Sequence, residues 1–342
     1  MAPSLIIPAQ RWPLSAVLPL GNRLALDSGP AAVLLVVLLS GPAGATAAMT
    51  ALSSWPIPLA LVALMLGIPH GAVDHLMLRS ALSRRGWAAL TLTYIGVAGS
   101  ATLAILSAPA VTFVLVLVMT VWHFGSGDVA ATAELTSGRV DATNSPVRSR
   151  SVRSSSAFRV LHSIAAGAAP VLLPLTSPAS AATLRQIRPE LTELLAPSVV
   201  TGVRAAVLTL VVITFGLLAR KGAMRAAGEL ALLAVLGLLV APLLGFAVYF
   251  ALWHALRHTA RLAQSSDGVV RTAALGRVFA VGLPALIGTV IVIAVLTARV
   301  GSFQEWGSWL WIGLAIVWGL TVPHMVLVSR FDRYRRATAI GL

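Results

Sequence analysis

The amino-acid sequence predicts an all-α membrane protein, a polytopic bundle of about ten transmembrane helices. Its 342 residues are 58% hydrophobic and only 11% charged, whereas about a quarter of the residues in a soluble domain are charged. The mean hydropathy is +0.90. The apolar residues also occur in runs of about 20, which is the length that an α-helix needs to cross a bilayer.

Ten apolar segments are predicted to span the membrane, at residues 30–49, 56–78, 87–106, 109–126, 158–176, 198–219, 228–244, 245–263, 275–298 and 307–328. The stretch 228–263 is too long for one crossing and short for two. In the second interpretation a turn falls near Pro242 and Gly245. Eight crossings remain the alternative if the short segments are re-entrant.

The distribution of positive charge favours an even number of crossings. The net charge is +14, but the arginines flank the apolar runs, as the positive-inside rule describes, and this argues against nucleic-acid binding. If all ten segments span, every cationic residue lies on or near the cytoplasmic side except Arg185, Arg188, Arg299 and the mid-helix Arg204. Both termini are therefore predicted to be cytoplasmic.

The sequence predicts a single transmembrane domain at residues 30–328, with no repeat. Residues 1–29 lack a clean signal peptide, because arginines and prolines interrupt the apolar residues, and they are interpreted as a cytoplasmic leader. Residues 128–157 are rich in Ser, Thr and Arg and are predicted to form a flexible cytoplasmic loop. Residues 329–342 form a basic cytoplasmic tail. The chain has no cysteine, which excludes disulfides and thiolate metal sites.

All seven histidines lie within or at the edge of the apolar segments. Ionisable groups at membrane depth are costly and are usually functional. Several imidazoles together indicate a metal site, because neutral imidazole is the commonest metal ligand. The seven are His70, His75, His123, His162, His254, His258 and His324.

His254 and His258 form the strongest local motif. They are four residues apart, so a helix places both on one face. Ala255 occupies the position of the glutamate in an HExxH motif, so a zinc protease with its general base is not indicated.

A second motif surrounds His70. Pro69 and Gly71 loosen the helix there, and Asp74 lies one turn after His70, where a carboxylate can accept the imidazole N–H and fix its tautomer. The alternative is a Pro/Gly kink with a polar helix contact.

The remaining histidines carry weaker signals. His123 is followed by Asp128, which is either a hydrogen-bond partner of a ligand or a carboxylate at the membrane edge. His162 and His324 are single histidines on apolar helices and are interpreted as packing or hydrogen-bonding residues. The role of His75 stays open.

Together the sequence motifs around these histidines resemble those of the Brp/Blh family of bacterial β-carotene 15,15′-dioxygenases. The resemblance rests on PHGAVDH at 69–75, WHFG with Asp128 at 122–128, WHALRH at 253–258 and TVPHM at 321–325. These strings occur in order over roughly 56–328.

The resemblance implies an Fe(II) oxidoreductase that uses O₂ to split β-carotene at its central double bond into two molecules of all-trans-retinal. It places the iron ligands at His70, His123, His254 and His258. Residues supporting the ligands would then be Asp74, His75, Asp128 and His324.

Aromatic residues close in sequence to these histidines are candidates for the wall of a carotenoid channel. The alternative for each is ordinary helix packing. The six are Trp122, Phe124, Phe246, Tyr249, Phe250 and Trp253. The resemblance also implies a bacterial inner membrane, with membrane lipid around the protein and a retinal-binding rhodopsin as a candidate partner.

Other histidine-rich membrane metalloproteins are the alternatives. A di-iron desaturase or hydroxylase uses about eight histidines with HxxHH motifs, which this chain lacks. A metal transporter is expected to use carboxylates along a path, and only Asp74 clearly lies in the middle of a predicted helix. A rhodopsin needs a lysine within a helix, whereas the only lysine, Lys221, is predicted in a cytoplasmic loop.

Overall fold

A computed structural model of the chain describes residues 20–40, 62, 65, 67–73, 83–137, 155–264, 271–300 and 306–340. These residues form helices joined by short turns, which confirms the predicted all-α bundle. Among them, seven helices are long and apolar enough to cross a membrane.

The helices of the described residues are, in chain order, α1 Leu20–Ser40, α2 Pro69–Ala72, α3 Arg84–Ser107, α4 Pro109–Ser137, α5 Ser156–Leu175, α6 Pro178–Ile187, α7 Pro197–Arg220, α8 Met224–Leu239, α9 Pro242–Val248, α10 Leu256–Ala263, α11 Thr272–Val300 and α12 Trp306–Ile340. A 3₁₀ segment, Pro189–Leu195, joins α6 to α7. A π-helical segment, Tyr249–Ala255, joins α9 to α10 without a break. The seven candidate spans are α1, α3, α4, α5, α7, α11 and α12.

Several helix starts are explained by the residue in front of them. The side chains of Ser83, Ser155 and Ser177 each accept a hydrogen bond from a backbone N–H three residues later, at 3.2 Å. These bonds satisfy N–H groups that have no partner inside the helix. Just after the C-terminal end of α7, Gly222 has φ +73°. This left-handed conformation is easy for glycine and ends many helices.

The first helix begins earlier than predicted. The sequence places the first span at 30–49, but α1 begins at Leu20. Asn22 is fully buried, and its side-chain amide donates to the backbone oxygen of Leu135 at 3.2 Å. This contact with α4 orders a turn that the sequence analysis assigns to the cytoplasmic leader.

The predicted loop at 128–157 differs from the structure in its first ten residues. Helix α4 continues through Ser137, because Ala131 and Leu135 are buried and Asp128 and Glu134 have partners on other helices. The part of the loop at 138–154 lies outside the described residues.

The stretch 228–263 is divided near Pro242, where the sequence predicts a turn, and the two crossings expected there stay a prediction. Helix α8 ends at Leu239, and Pro242 opens α9, as expected of a proline at a first helical position. The short elements between Met224 and Ala263, and the residues that the structure does not describe, explain why seven candidate spans are found among the described residues rather than ten. Helix α8 has 16 residues, while α9, the π-helical segment and α10 have seven, seven and eight. The predicted segment 56–78 lies largely outside the described residues.

Helices α4 and α5 are in backbone contact at two glycines. A Cβ on Gly125 would lie 1.7 Å from the Ser163 carbonyl oxygen, and one on Gly167 would lie 1.9 Å from the Val121 carbonyl oxygen. Small residues allow helices in a membrane to approach this closely. The contact fixes the middle of α4, where His123 lies.

A set of ion pairs, here called the ionic layer, joins five helices at one end of α10. Arg257 pairs with Glu229 at 2.9 Å, and Arg261 pairs with Glu134 at 2.8 Å and with Asp332 at 2.6 Å. Arg225 completes the layer and pairs with Asp27 and Glu229. Arg257 and Arg261 are predicted to lie on or near the cytoplasmic side, but inside the bundle they are only 1% and 2% exposed.

Two carboxylates of this layer, Glu134 and Glu229, lie within α4 and α8, so the expectation that only Asp74 clearly lies within a helix is wrong for the described residues. Because their partners are arginines, these groups act as ion-pair partners rather than as a line of free carboxylates.

Candidate metal centre

Three histidines from separate elements meet inside the bundle. His70 on α2, His123 on α4 and His254 on the π-helical segment have ligating nitrogens that all lie within 4.8 Å of one another. All three side chains are buried. Imidazole nitrogens at this spacing can share one metal ion, since each would bind at about 2.1 Å.

Two further histidines border this group. The ring centre of His258, on α10, lies 5.6 Å from that of His70. The ring centre of His324, on α12, lies 5.1 Å from His70, 5.0 Å from His123 and 5.4 Å from His258. The structure therefore brings together the four histidines predicted as ligands, and it adds His324 to the same cluster.

Asp128 is the partner of His254. The His254 Nδ1 lies 2.9 Å from the Asp128 Oδ1, and the Tyr249 hydroxyl donates to the Asp128 Oδ2 at 2.7 Å. A carboxylate can only accept, so the imidazole carries its proton on Nδ1 and keeps a lone pair on Nε2. The same partner that fixes the tautomer also orients the ring.

His70 has a comparable partner in the backbone. Its Nδ1 donates to the Gly67 carbonyl oxygen, one turn earlier. Gly67 has a second role, because a Cβ there would lie 2.1 Å from the Phe250 ring. The absence of a side chain lets Phe250 lie against His70, with ring centres 5.3 Å apart.

The nitrogen atoms at the centre fit a metal ion. Among the described residues, no hydrogen-bond partner is found for the buried Nε2 of His123, His254 or His258. Buried polar atoms are nearly always paired, and a metal ion would pair all three. An all-imidazole set suits iron, zinc, copper or nickel.

The π-helical segment changes the geometry expected from the sequence. His254 and His258 are predicted on one face of a regular helix, but His254 lies in the wider turn Tyr249–Ala255 and His258 in α10. Such turns are rare and frequently occur at functional sites. Here the turn brings Tyr249 to Asp128 while His254 faces His123, with ring centres 5.2 Å apart.

An apolar cavity of about 380 Å³ opens beside the cluster, and His70, His123 and His324 are among the residues that line it. This volume is within the range of ligand pockets. The other lining residues are mostly apolar or aromatic and come chiefly from α3, α11 and α12. They include Trp87, Leu90, Tyr94, Ile95, Ile293, Leu314, Val317, Trp318 and Leu327.

The six predicted aromatic wall residues divide into two groups. Phe124, Phe246 and Phe250 line the apolar cavity. Trp122 does not line it, because this side chain points outward and is 49% exposed. Tyr249 instead holds Asp128, and Trp253 lies under the Arg257 guanidinium, whose carbon is 4.5 Å from the ring centre.

The cavity-lining residues of α3 were not identified from the sequence, although their helical spacing was a visible signal. Trp87, Leu90, Thr91, Tyr94 and Ile95 recur at the spacing of one helical face. Their position beside the histidines depends on the packing of α3 on α12, which no local pattern shows.

The remaining predicted residues are Asp74, His75 and His162. Asp74 and His75 are outside the described residues. His162, on α5, borders a second, more polar cavity together with Lys221 and Arg225, and its ring centre is 6.4 Å from that of Phe158.

Comparison with known families agrees with the geometry of the centre. Residues 61–332 match the family model described as "Beta-carotene 15,15'-dioxygenase", and the match covers more than three quarters of the chain. No curated protein and no solved structure matches the chain. The chain belongs to the β-carotene 15,15′-dioxygenase family.

Proposed function

We propose that the protein is an Fe(II)-dependent dioxygenase that cleaves β-carotene at its 15,15′ double bond. The reaction consumes one O₂ and yields two molecules of all-trans-retinal. The observation that carries this proposal is a buried cluster of imidazoles opening onto an apolar cavity, in a chain of this family.

The iron would be held by His70, His123, His254 and His258. Bound iron supplies the activation of O₂ that the polyene alone does not provide. Asp128 keeps the lone pair of His254 directed at the centre, and the Gly67 carbonyl does the same for His70. Asp74 and His75 follow His70 in the chain and are proposed as further supporting residues.

The apolar cavity would hold the polyene and exclude water. Phe124, Phe246 and Phe250 form a stacked group, with interplanar angles of 5° to 30° and ring centres 5.9 to 6.1 Å apart. A flat conjugated chain can lie against these faces. Their π-electrons would also stabilise positive charge that develops on the chain during cleavage.

We place the protein in the bacterial cell membrane with both termini in the cytoplasm. Because β-carotene is insoluble in water, the bilayer is the phase from which it is taken. A retinal-binding rhodopsin in the same membrane is a candidate recipient of the product.

The proposal is tested by expression in bacteria that accumulate β-carotene. We expect the orange colour to fade and retinal to be detected by chromatography. His70→Ala, His123→Ala, His254→Ala and His258→Ala should each abolish retinal formation while the protein remains in the membrane fraction. His162→Ala, a histidine of the same bundle outside the cluster, is the matched control and should retain activity.

Two outcomes would contradict the proposal in different ways. Wild-type protein that contains iron and leaves β-carotene intact would refute the reaction, and a metal transporter would give this result. Activity that survives in one histidine variant would remove that residue from the ligand set.

A further inference from the structure

His324 occupies a place at the centre that the four-histidine set does not use. It is 3% exposed and lies on α12, a helix that otherwise contributes mostly apolar side chains to the cavity wall. Its ring centre is as close to those of His70 and His123 as the ring centre of His254 is, at 5.1 and 5.0 Å compared with 5.6 and 5.2 Å.

These separations are those of imidazoles around a common ion. Two imidazoles bound to one metal at about 2.1 Å have ring centres roughly 4.5 to 6.5 Å apart, because each ring centre lies about 1 Å beyond its nitrogen. All three separations measured from His324 fall within this range. The ring is also nearly perpendicular to those of His70, His123 and His258, at 85°, 84° and 79°.

The known supporting contacts lie at the outward nitrogens of two ligands, where Asp128 contacts His254 and the Gly67 carbonyl contacts His70. His324 lies at the wall between the cluster and the apolar cavity. Gly71 of α2 lies next to it, since a Cβ there would be in van der Waals contact with the His324 Nδ1, at 3.4 Å.

We propose that His324 is a fifth imidazole ligand of the metal centre. This inference rests on the proposed metal centre and extends it. The ligands would then come from five elements, α2, α4, the π-helical segment, α10 and α12. Helix α12 would contribute both to the metal and to the cavity wall.

The test counts bound imidazoles in purified protein in which Co(II) replaces Fe(II). Each imidazole bound to Co(II) through one nitrogen gives a paramagnetically shifted proton signal from its other N–H. We expect His324→Ala to lose one such signal and to raise the dissociation constant for Co(II) at least about 10-fold. Added imidazole should restore the visible spectrum of this variant. His162→Ala should match the wild type in all three measurements.

The outcomes separate the two proposals. Wild-type protein that binds neither Co(II) nor Fe(II) would refute the metal centre itself. A wild type that binds Co(II), with an unchanged count of signals and an unchanged spectrum in His324→Ala, would refute only the fifth ligand. His324→Asn, a smaller change at the same buried position, gives the same comparison if the alanine variant does not fold.

Discussion

The carboxylate of Asp128 connects two side chains that have different tasks. It accepts from the Tyr249 hydroxyl on one oxygen and from His254 on the other. A tyrosine that the sequence suggests as part of a substrate wall is thus a support for the centre. The hydrogen bond orients the carboxylate, and the carboxylate orients the imidazole.

The first prediction concerns this chain of hydrogen bonds. Asp128→Asn removes the charge that favours a proton on the His254 Nδ1, so we expect metal affinity to fall about 10- to 100-fold. Tyr249→Phe removes only one bond to the carboxylate and should have a smaller effect. Titration with Co(II) against a chelator measures both. Equal affinity in Asp128→Asn and the wild type would contradict the assigned role.

Single residues were predictable where the chemistry is local. The strings around His70, His123, His254 and His258 identify a cluster because imidazoles at membrane depth have few other uses. His324 was expected to support the ligands, but its ring distances to them were not predictable, because they depend on how α12 packs against α3 and α11. Asp128 was recognised as a carboxylate of the centre, but the sequence could not indicate that its partner would be His254, 126 residues away.

At the scale of elements, the contact between α4 and α5 determines where His123 lies. Gly125 is two residues after His123, and its backbone lies against that of Ser163. The sequence predicts both helices from hydropathy. It does not predict their crossing point, because the sequence does not distinguish a glycine at a helix contact, such as Gly125, from one with no neighbour, such as Gly202.

The second prediction tests this crossing. Gly125→Ala places a methyl group against the backbone of α5, and overpacking of this kind lowers the free energy of unfolding by about 1–3 kcal/mol. Gly202→Ala on α7 is the matched control, since a Cβ there meets nothing within 4 Å. This control should change the free energy of unfolding by less than about 1 kcal/mol. Thermal unfolding in detergent compares the two. A midpoint for Gly125→Ala equal to that of the control would show that the helices separate easily.

At the scale of the whole molecule, the bilayer determines the fold. The all-helical bundle follows from composition, because only helices or closed barrels satisfy their backbone groups in lipid. Segment ends were less predictable. Helix α4 passes beyond its apolar run because its polar end pairs with α10, and hydropathy alone does not record such partners.

The third prediction concerns topology. The chain has no cysteine, so single cysteines can be introduced without a background. In intact cells a membrane-impermeant maleimide should label Ser198→Cys, which is exposed at the start of α7, and should not label Ser149→Cys in the predicted cytoplasmic loop. Lysed cells should label both. The opposite pattern would invert the proposed orientation.

Arg261 of the ionic layer also affects the positions of three helices along their axes. Arg261 holds Glu134 of α4 and Asp332 of α12, and it follows His258 by one turn of α10. Three helices that each carry a histidine of the cluster are therefore aligned along their axes by one side chain. A slip of one residue in any of them would displace its imidazole by about 1.5 Å, which is most of a metal–nitrogen bond. The ionic layer lies outside the centre, and it thus keeps the three helices in the axial register that brings their histidine rings together.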